Sequence, residues 1–363
     1  MFWEKKRTYL DYAAGVSGNP SSPHEEGRRA KRVLEDARLA IARLVEVQSD
    51  DVIFTSGATE SNALAILGVL KTGDHALYLP SAHASVVENM KLVSERGVEI
   101  EALPIKDGRV DCEKLKEMLR SQTKLVAMDA VCGETGVIWN TREVKQCIGA
   151  NILLHVDASQ APLTEKITRA HFGADMLTFD GSKVGDVRGI GVLIVHRTIP
   201  LLPLYRGGGQ ERGLRPGSES PELAGKFAAL LAAAALGRET FRISAEHGRK
   251  QLIQTITTHI PNILIHEGRA QVLNILNLSF PGRDTDYLVA LLDEEGFAVS
   301  TRSACETDSE EGSRAVFALT GDRELARTTL RISWGADISA HSLARFTKAL
   351  IAAVAFIDNG GHR

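Results

Sequence analysis

The sequence has almost no surplus charge: 43 Lys and Arg stand against 46 Asp and Glu, leaving -3 at pH 7 over 363 residues. Binding to nucleic acid through phosphates calls for a basic excess, so no nucleic-acid partner is expected. Long hydrophobic runs are missing too. The longest, Phe227 to Leu236, is rich in alanine and too short to span a bilayer, so no membrane association is expected. Cysteine is scarce, and the four present (Cys112, Cys132, Cys147 and Cys305) show neither C-x-x-C spacing nor a disulfide framework. That scarcity suggests a reducing compartment. The first ten residues, M-F-W-E-K-K-R-T-Y-L, lack the layout of a signal peptide, so a cytoplasmic location is expected. No internal repeat, no low-complexity segment and no metal site is expected. What remains is 44% hydrophobic and 25% charged, the make-up of an ordinary globular protein long enough for two domains.

The stretch from Asn151 to Val195 organises the rest. Ile152 to Val156 is a short apolar run that stops at Asp157, the pattern of a buried strand delivering a carboxylate at its C-terminal end. Open α/β sheets bind ligands outside such strand ends. Lys183 follows the next apolar run, between a Gly-Ser step and a Gly-rich turn, where a desolvated lysine can serve as an imine-forming amine. A carboxylate and an amine so placed suit pyridoxal phosphate: the acid keeps the ring nitrogen protonated and the amine carries the aldehyde. The alternative is a strand capped by Asp and a solvated lysine.

Strands and helices alternate before this stretch. The pattern predicts a helix from Glu25 to Val45, a strand from Asp51 to Phe54 and an apolar helix to Leu70. Between the last two, T-S-G-A-T-E-S-N turns free backbone N–H groups toward one spot, a natural seat for phosphate. Strands near 75–80, 100 and 125–131 and helices over 86–96 and 112–120 continue the alternation, which argues for a doubly wound, mostly parallel sheet. Residues 207–218 form a polar Gly-rich loop. Ser220 and Pro221 then start a long helix to His259, with a bend expected near Gly237. Beyond Pro261 a smaller α/β lobe is expected: strands over 274–280, 297–300 and 329–334, and helices over 284–295, 313–319 and 339–357. Between residues 301 and 312 runs a polar, aperiodic loop holding Cys305, where Arg302 favours a thiolate and the acids from Glu306 onward oppose it.

In their order along the chain, Y-L-D-Y-A-A, G-N-P-S-S-P-H, F-T-S-G-A-T-E-S-N, H-A-S-V-V-E, H-V-D-A-S-Q, D-G-S-K, G-G-G-Q-E-R-G-L-R-P-G-S, S-A-C and L-R-I-S-W-G cover almost its whole length. In these motifs the sequence resembles the class V aminotransferase superfamily of fold-type-I pyridoxal phosphate enzymes, and within it the cysteine desulfurases. The resemblance implies a large sheet domain over residues 15–240, and a small domain of 1–14 plus 241–363 carrying the Cys305 loop. It implies Lys183 as the imine-forming base, Asp157 on the ring nitrogen, Gln160 on the phenolic oxygen and His83 stacked on the ring. Ala58, Thr59 and Ser182 would seat the phosphate, and Ser218 would reach the phosphate of a neighbouring subunit in a homodimer with shared sites. Arg331 would clamp the carboxylate of L-cysteine. Cys305 would take its sulfur as a persulfide for an acceptor protein, as in iron–sulfur assembly or tRNA thiolation. A selenocysteine lyase, a sulfinate desulfinase, an aminotransferase and a non-catalytic partner-binding relative are the alternatives. The sequence departs from the family at Gly133, where Asn is usual, at Asp180, where a phosphate-binding Ser is usual, and at Ser182, where His is commoner. It also lacks a helical stretch between Ala14 and Gly18 and the C-terminal tail that docks a scaffold protein in some relatives.

Overall fold

The first helix shows how local sequence sets an element. α1 (Glu25–Val45) starts where the His24 ring accepts the Gly27 N–H, and Glu25 and Glu26 meet the positive end of the helix dipole. Ala30, Leu34, Ile41 and Val45 recur on one buried face. The same logic repeats along the computed structural model, which describes residues 7–16, 18–301 and 312–361. β1 (Val52–Thr55), α2 (Ala58–Leu67), β2 (His75–Tyr78), α3 (Ala84–Glu95) and β3 (Glu99–Ala102) come next. A hairpin, β4 (Ile105–Lys106) and β5 (Arg109–Val110), precedes α4 (Cys112–Met118), β6 (Thr123–Asp129), α5 (Thr141–Ile148) and β7 (Leu153–Asp157). Then follow α6 (Arg169–Phe172), β8 (Met176–Asp180), β9 (Gly191–Val195) and the long α7 (Pro221–His259). The last part holds β10 (Leu264–Ile265), β11 (Ile275–Ser279), α8 (Thr285–Glu294), α9 (Arg314–Thr320), α10 (Arg323–Arg327), β12 (Thr329–Ser333) and α11 (Ala340–Asp358).

The large sheet runs β1-β9-β8-β7-β6-β2-β3, with β9 antiparallel to both neighbours and every pairing from β8 to β3 parallel. This is the mostly parallel, doubly wound sheet that the alternation predicted. A second, antiparallel sheet has the order β10-β11-β12. Each sheet has its own apolar core, and α7 feeds both: Phe227 and Leu231 pack in the first, Phe241, Ala245 and Leu252 in the second. By length and a mean hydropathy of 1.3, α11 could cross a bilayer. Its apolar face instead buries Leu343, Phe346, Leu350 and Val354 in the second core, beside α7 and α8.

Three parallel neighbours, β6, β7 and β8, each end in an aspartate: Asp129, Asp157 and Asp180. Acid is thereby concentrated at the carboxyl edge of the sheet, where α/β folds bind ligands.

Two expectations are corrected, one on residues 297–300 and one on the cysteines. Residues 297–300 form no strand; only Ser300 bridges to Arg331. Phe297 and Val299 pack against the second core without pairing along a strand. α7 runs without interruption through Gly237 for 39 residues. Cys112 and Cys147, separated by 35 positions, are joined in a disulfide with Cα atoms 6.2 Å apart. Their spacing gave no sign of it because packing of α4 on α5 creates the proximity.

Candidate active site

At the end of β7 Asp157 is buried and held on both oxygens. Oδ1 accepts the Ser159 N–H at 2.9 Å and Oδ2 accepts Asn62 Nδ2 at 2.7 Å. Asn62, from α2, also donates to Ser85 Oγ at 2.8 Å, and Ser85 Oγ lies 2.7 Å from His83 Nδ1. A connected chain therefore runs from Asp157 through Asn62 and Ser85 to His83. The Ser85 backbone N–H points at His83 Nδ1 as well, at 3.2 Å. A backbone N–H can only donate, so Nδ1 carries the lone pair and the neutral ring has its proton on Nε2.

Beside Asp157 lies an acid that sequence reasoning missed. Asp129 is its register partner on β6 and is 4% exposed. Burial first, then the charge of Asp157, push the Asp129 carboxyl well above the usual carboxylate range. Its signal was available, since L-V-A-M-D repeats the strand-ending carboxylate of L-L-H-V-D. Asn62 and Glu134 were missed for another reason: their partners are remote in sequence. Glu134 Oε2 accepts the Ser313 hydroxyl at 2.6 Å, and its carbonyl accepts Asn277 Nδ2 at 3.1 Å.

A cleft of about 390 Å³ opens between the two cores, and His83, Gln160, Ser182, Lys183 and Arg331 line it together with Gly133 and Glu134. The fold thus gathers these five predicted residues from positions 83 to 331 around one space. Lys183 ends the short turn Gly181–Lys183 after β8 and is exposed at the rim. The desolvation expected for it is absent from the isolated chain, because that turn projects beyond the sheet edge. Arg331, on β12, is half-buried and donates to the Gly133 carbonyl at 3.2 Å. A Cβ at Gly133 would stand 3.1 Å from Gln160 Nε2, so the absence of a side chain there lets Gln160 lie close to the backbone.

Ala58 and Thr59 open α2, and Ala58 N–H donates to Asp180 Oδ2 at 2.7 Å. Ser182 donates to Asp180 Oδ1 from both its N–H, at 2.8 Å, and its hydroxyl, at 2.6 Å. Ser218 is exposed on the loop before α7 and does not line the cleft. Cys305 lies outside the described residues, as does Arg302. The flanking residues are anchored: Thr301 Oγ1 donates to Asp286 at 3.1 Å, and Ser313 holds Glu134 on the cleft wall.

A family description, aminotransferase class-V, matches residues 6–346. The chain belongs to the class-V aminotransferases. Among relatives in this family it is 34% identical over 333 residues to "Cysteine desulfurase IscS 1" of Archaeoglobus fulgidus, covering 90% of this chain and 87% of that one. A solved "NIFS-LIKE PROTEIN" superposes with a TM-score of 0.86 at 27% identity, covering 95% of this chain and 93% of that one. A structure described as "SspA in complex with cysteine" superposes at 0.74 with 26% identity, covering 89% and 92%. The family's cofactor is pyridoxal phosphate, and this class-V member uses it.

The residues present fit the ring end of that cofactor. Around Asp157 the buried polar atoms Asn62 Oδ1, Ser159 Oγ and Asp129 Oδ1 have no hydrogen-bond partner among the described residues. Burying such atoms is costly unless polar groups meet them; the one N–H of a charged pyridine ring can pair with the Asp157 carboxylate, which Asn62 and Ser159 hold in place. An amine at the rim and a carboxylate at the end of β7 match the two ends of the ring.

Proposed function

We propose that this class-V enzyme is a cysteine desulfurase, converting L-cysteine to L-alanine and leaving the sulfur as a persulfide on Cys305. The observation that carries the reading is the single cleft that gathers Lys183, His83, Gln160 and Arg331, with His83 connected through Ser85 and Asn62 to the buried Asp157. Similarity along nine-tenths of the chain to a cysteine desulfurase supports the choice of reaction. When bound, pyridoxal phosphate supplies an electron sink for breaking the substrate's Cα–H and Cβ–S bonds. Lys183 offers the amine that holds the cofactor's aldehyde, and that same amine moves the proton at the substrate Cα. Asp157 balances the positive ring nitrogen, and Asn62 and Ser159 fix its carboxylate in place. His83 presents its protonated Nε2 because Ser85 occupies Nδ1. Arg331 pairs with the substrate carboxylate in a two-pronged contact. The Cys305 thiolate attacks the substrate sulfur: the Cβ–S bond breaks, an S–S bond forms, and the carbon takes a proton to become the methyl of alanine. The sulfur then passes to an acceptor protein, of the kind that serves iron–sulfur assembly or tRNA thiolation.

The Cys305→Ala variant tests this reading. Pyridoxal phosphate binding is expected to persist, while sulfide release from L-cysteine with a reductant falls by about 10²-fold or more. Unchanged sulfide release would move the assignment to a lyase or desulfinase that needs no thiol.

A homodimer is part of the same proposal. Ser218 is exposed outside the cleft of its own chain, and Leu202 and Tyr205 just before its loop are 58% and 47% exposed. Apolar surface beside a polar loop suits an interface between copies. Light scattering is expected to give twice the 39.3 kDa chain mass. A monomer with full activity would remove Ser218 from the site.

A further inference from the structure

Two of the groups expected at the phosphate end, Ala58 and Ser182, are engaged by a carboxylate of this chain. Asp180 accepts the Ala58 N–H through Oδ2 at 2.7 Å, and the Ser182 N–H and hydroxyl through Oδ1 at 2.8 and 2.6 Å. One side chain thus spans the start of α2 and the turn leading to Lys183. A Cβ on Gly57 would lie 3.1 Å from Asp180 Oδ2, and one on Gly191 would lie 2.7 Å from the Gly57 Cα. The turn before α2 therefore backs directly onto the carboxylate, with β9 packed behind it. A phosphate seeking the same N–H groups competes with Asp180 for them, and the two negative charges repel.

We propose that Asp180 is a specificity-determining residue for the cofactor. It brings its own negative charge to the phosphate end, so the enzyme holds pyridoxal phosphate chiefly by the ring and the Lys183 amine. Its preference over pyridoxal, which has the same ring and aldehyde without the phosphate, is correspondingly weak. This inference rests on the cofactor assignment and concerns only which end of the cofactor is gripped.

The test is a binding measurement on the full chain. Cofactor-free parent, Asp180→Ser and Asp180→Asn are each titrated with pyridoxal phosphate and with pyridoxal. Adduct formation is read by absorbance and by borohydride trapping with mass analysis of Lys183. In the parent the two dissociation constants are expected to lie within about tenfold of each other. Asp180→Ser is expected to tighten pyridoxal phosphate by about tenfold or more and to change pyridoxal by less than about threefold. Asp180→Asn removes the charge while keeping an acceptor for the Ala58 N–H, so it is expected to shift in the same direction and guards against a folding defect in the serine variant. A ratio between the two ligands that both variants leave unchanged overturns the inference and leaves the cofactor in place. Failure of all three proteins to form a reducible adduct overturns the cofactor assignment, and the inference with it.

Discussion

Replacement of Lys183 by alanine is expected to lower alanine formation from L-cysteine by about 10³-fold or more, with the fold intact. Two roles vanish together: the amine that carries the aldehyde and the base that moves the Cα proton. The fold survives because Lys183 is exposed at the end of a short turn, and Asp180 rather than Lys183 ties that turn down. Lys183→Arg separates amine chemistry from charge. It keeps the positive charge but cannot form an imine near neutral pH, so it is expected to lose as much activity as the alanine variant. Circular dichroism should overlay for all three proteins, and only the parent should incorporate a borohydride-reduced cofactor at residue 183. Should either variant keep more than about one-tenth of parental turnover, the lysine is not the group that does the work.

That prediction starts from features the chain displays locally, and much of the fold is of the same kind. A run such as Leu153–Asp157 is recognisable because a parallel strand buried on both faces has to be apolar until it reaches the sheet edge. The long α7 is marked by Pro221 in its first turn and stopped just before Pro261. What the sequence hid are relations across distance. Asp180 meets Ala58 over 122 positions, and Ser313 meets Glu134 over 179. Nothing in D-G-S-K says that its aspartate turns toward the start of another helix rather than into solvent. Cys112 and Cys147 are brought together only once α4 lies beside α5. Residues 297–300 misled for the reverse reason: their apolar character serves the second core through Phe297 and Val299 without any strand pairing. Asp129 is the instructive case. The rule that picked out Asp157 applies to it equally, and its raised pKa comes first from burial and then from the aspartate already chosen beside it.

The second large effect concerns stability and sits away from the cleft. Arg38, in the middle of α1, makes a bidentate pair with Glu211 at 2.8 and 2.7 Å and also donates to the Val52 carbonyl at 2.7 Å. Its guanidinium lies over the Phe54 ring, 4.9 Å from the centroid. Glu211 accepts the Phe54 N–H as well, at 2.9 Å, and its side chain is 1% exposed. Glu211 and Arg212 have φ values of 47° and 60°, a left-handed backbone that residues with side chains adopt reluctantly. The pair therefore holds a strained loop against β1, and that loop continues to Arg215, which reaches Glu60 on α2 at 3.2 Å, and on to Ser218. Glu211→Ala leaves the buried Arg38 with only the half-exposed Glu35, 3.2 Å from its Nε, as counter-ion, and the Phe54 N–H without its acceptor. Unfolding free energy is expected to fall by about 3–5 kcal/mol. Glu211→Gln keeps the shape and an acceptor for Phe54 and loses only the charge, so it should fall between parent and alanine variant. Removing both charges, as Arg38→Met with Glu211→Gln, no longer strands a guanidinium without its buried counter-ion and is expected to recover part of the loss. Urea unfolding of the four proteins at one protein concentration measures this directly. A loss below about 1 kcal/mol in Glu211→Ala, the range of surface ion pairs, would mean that water reaches Arg38 and that the loop is held by something else.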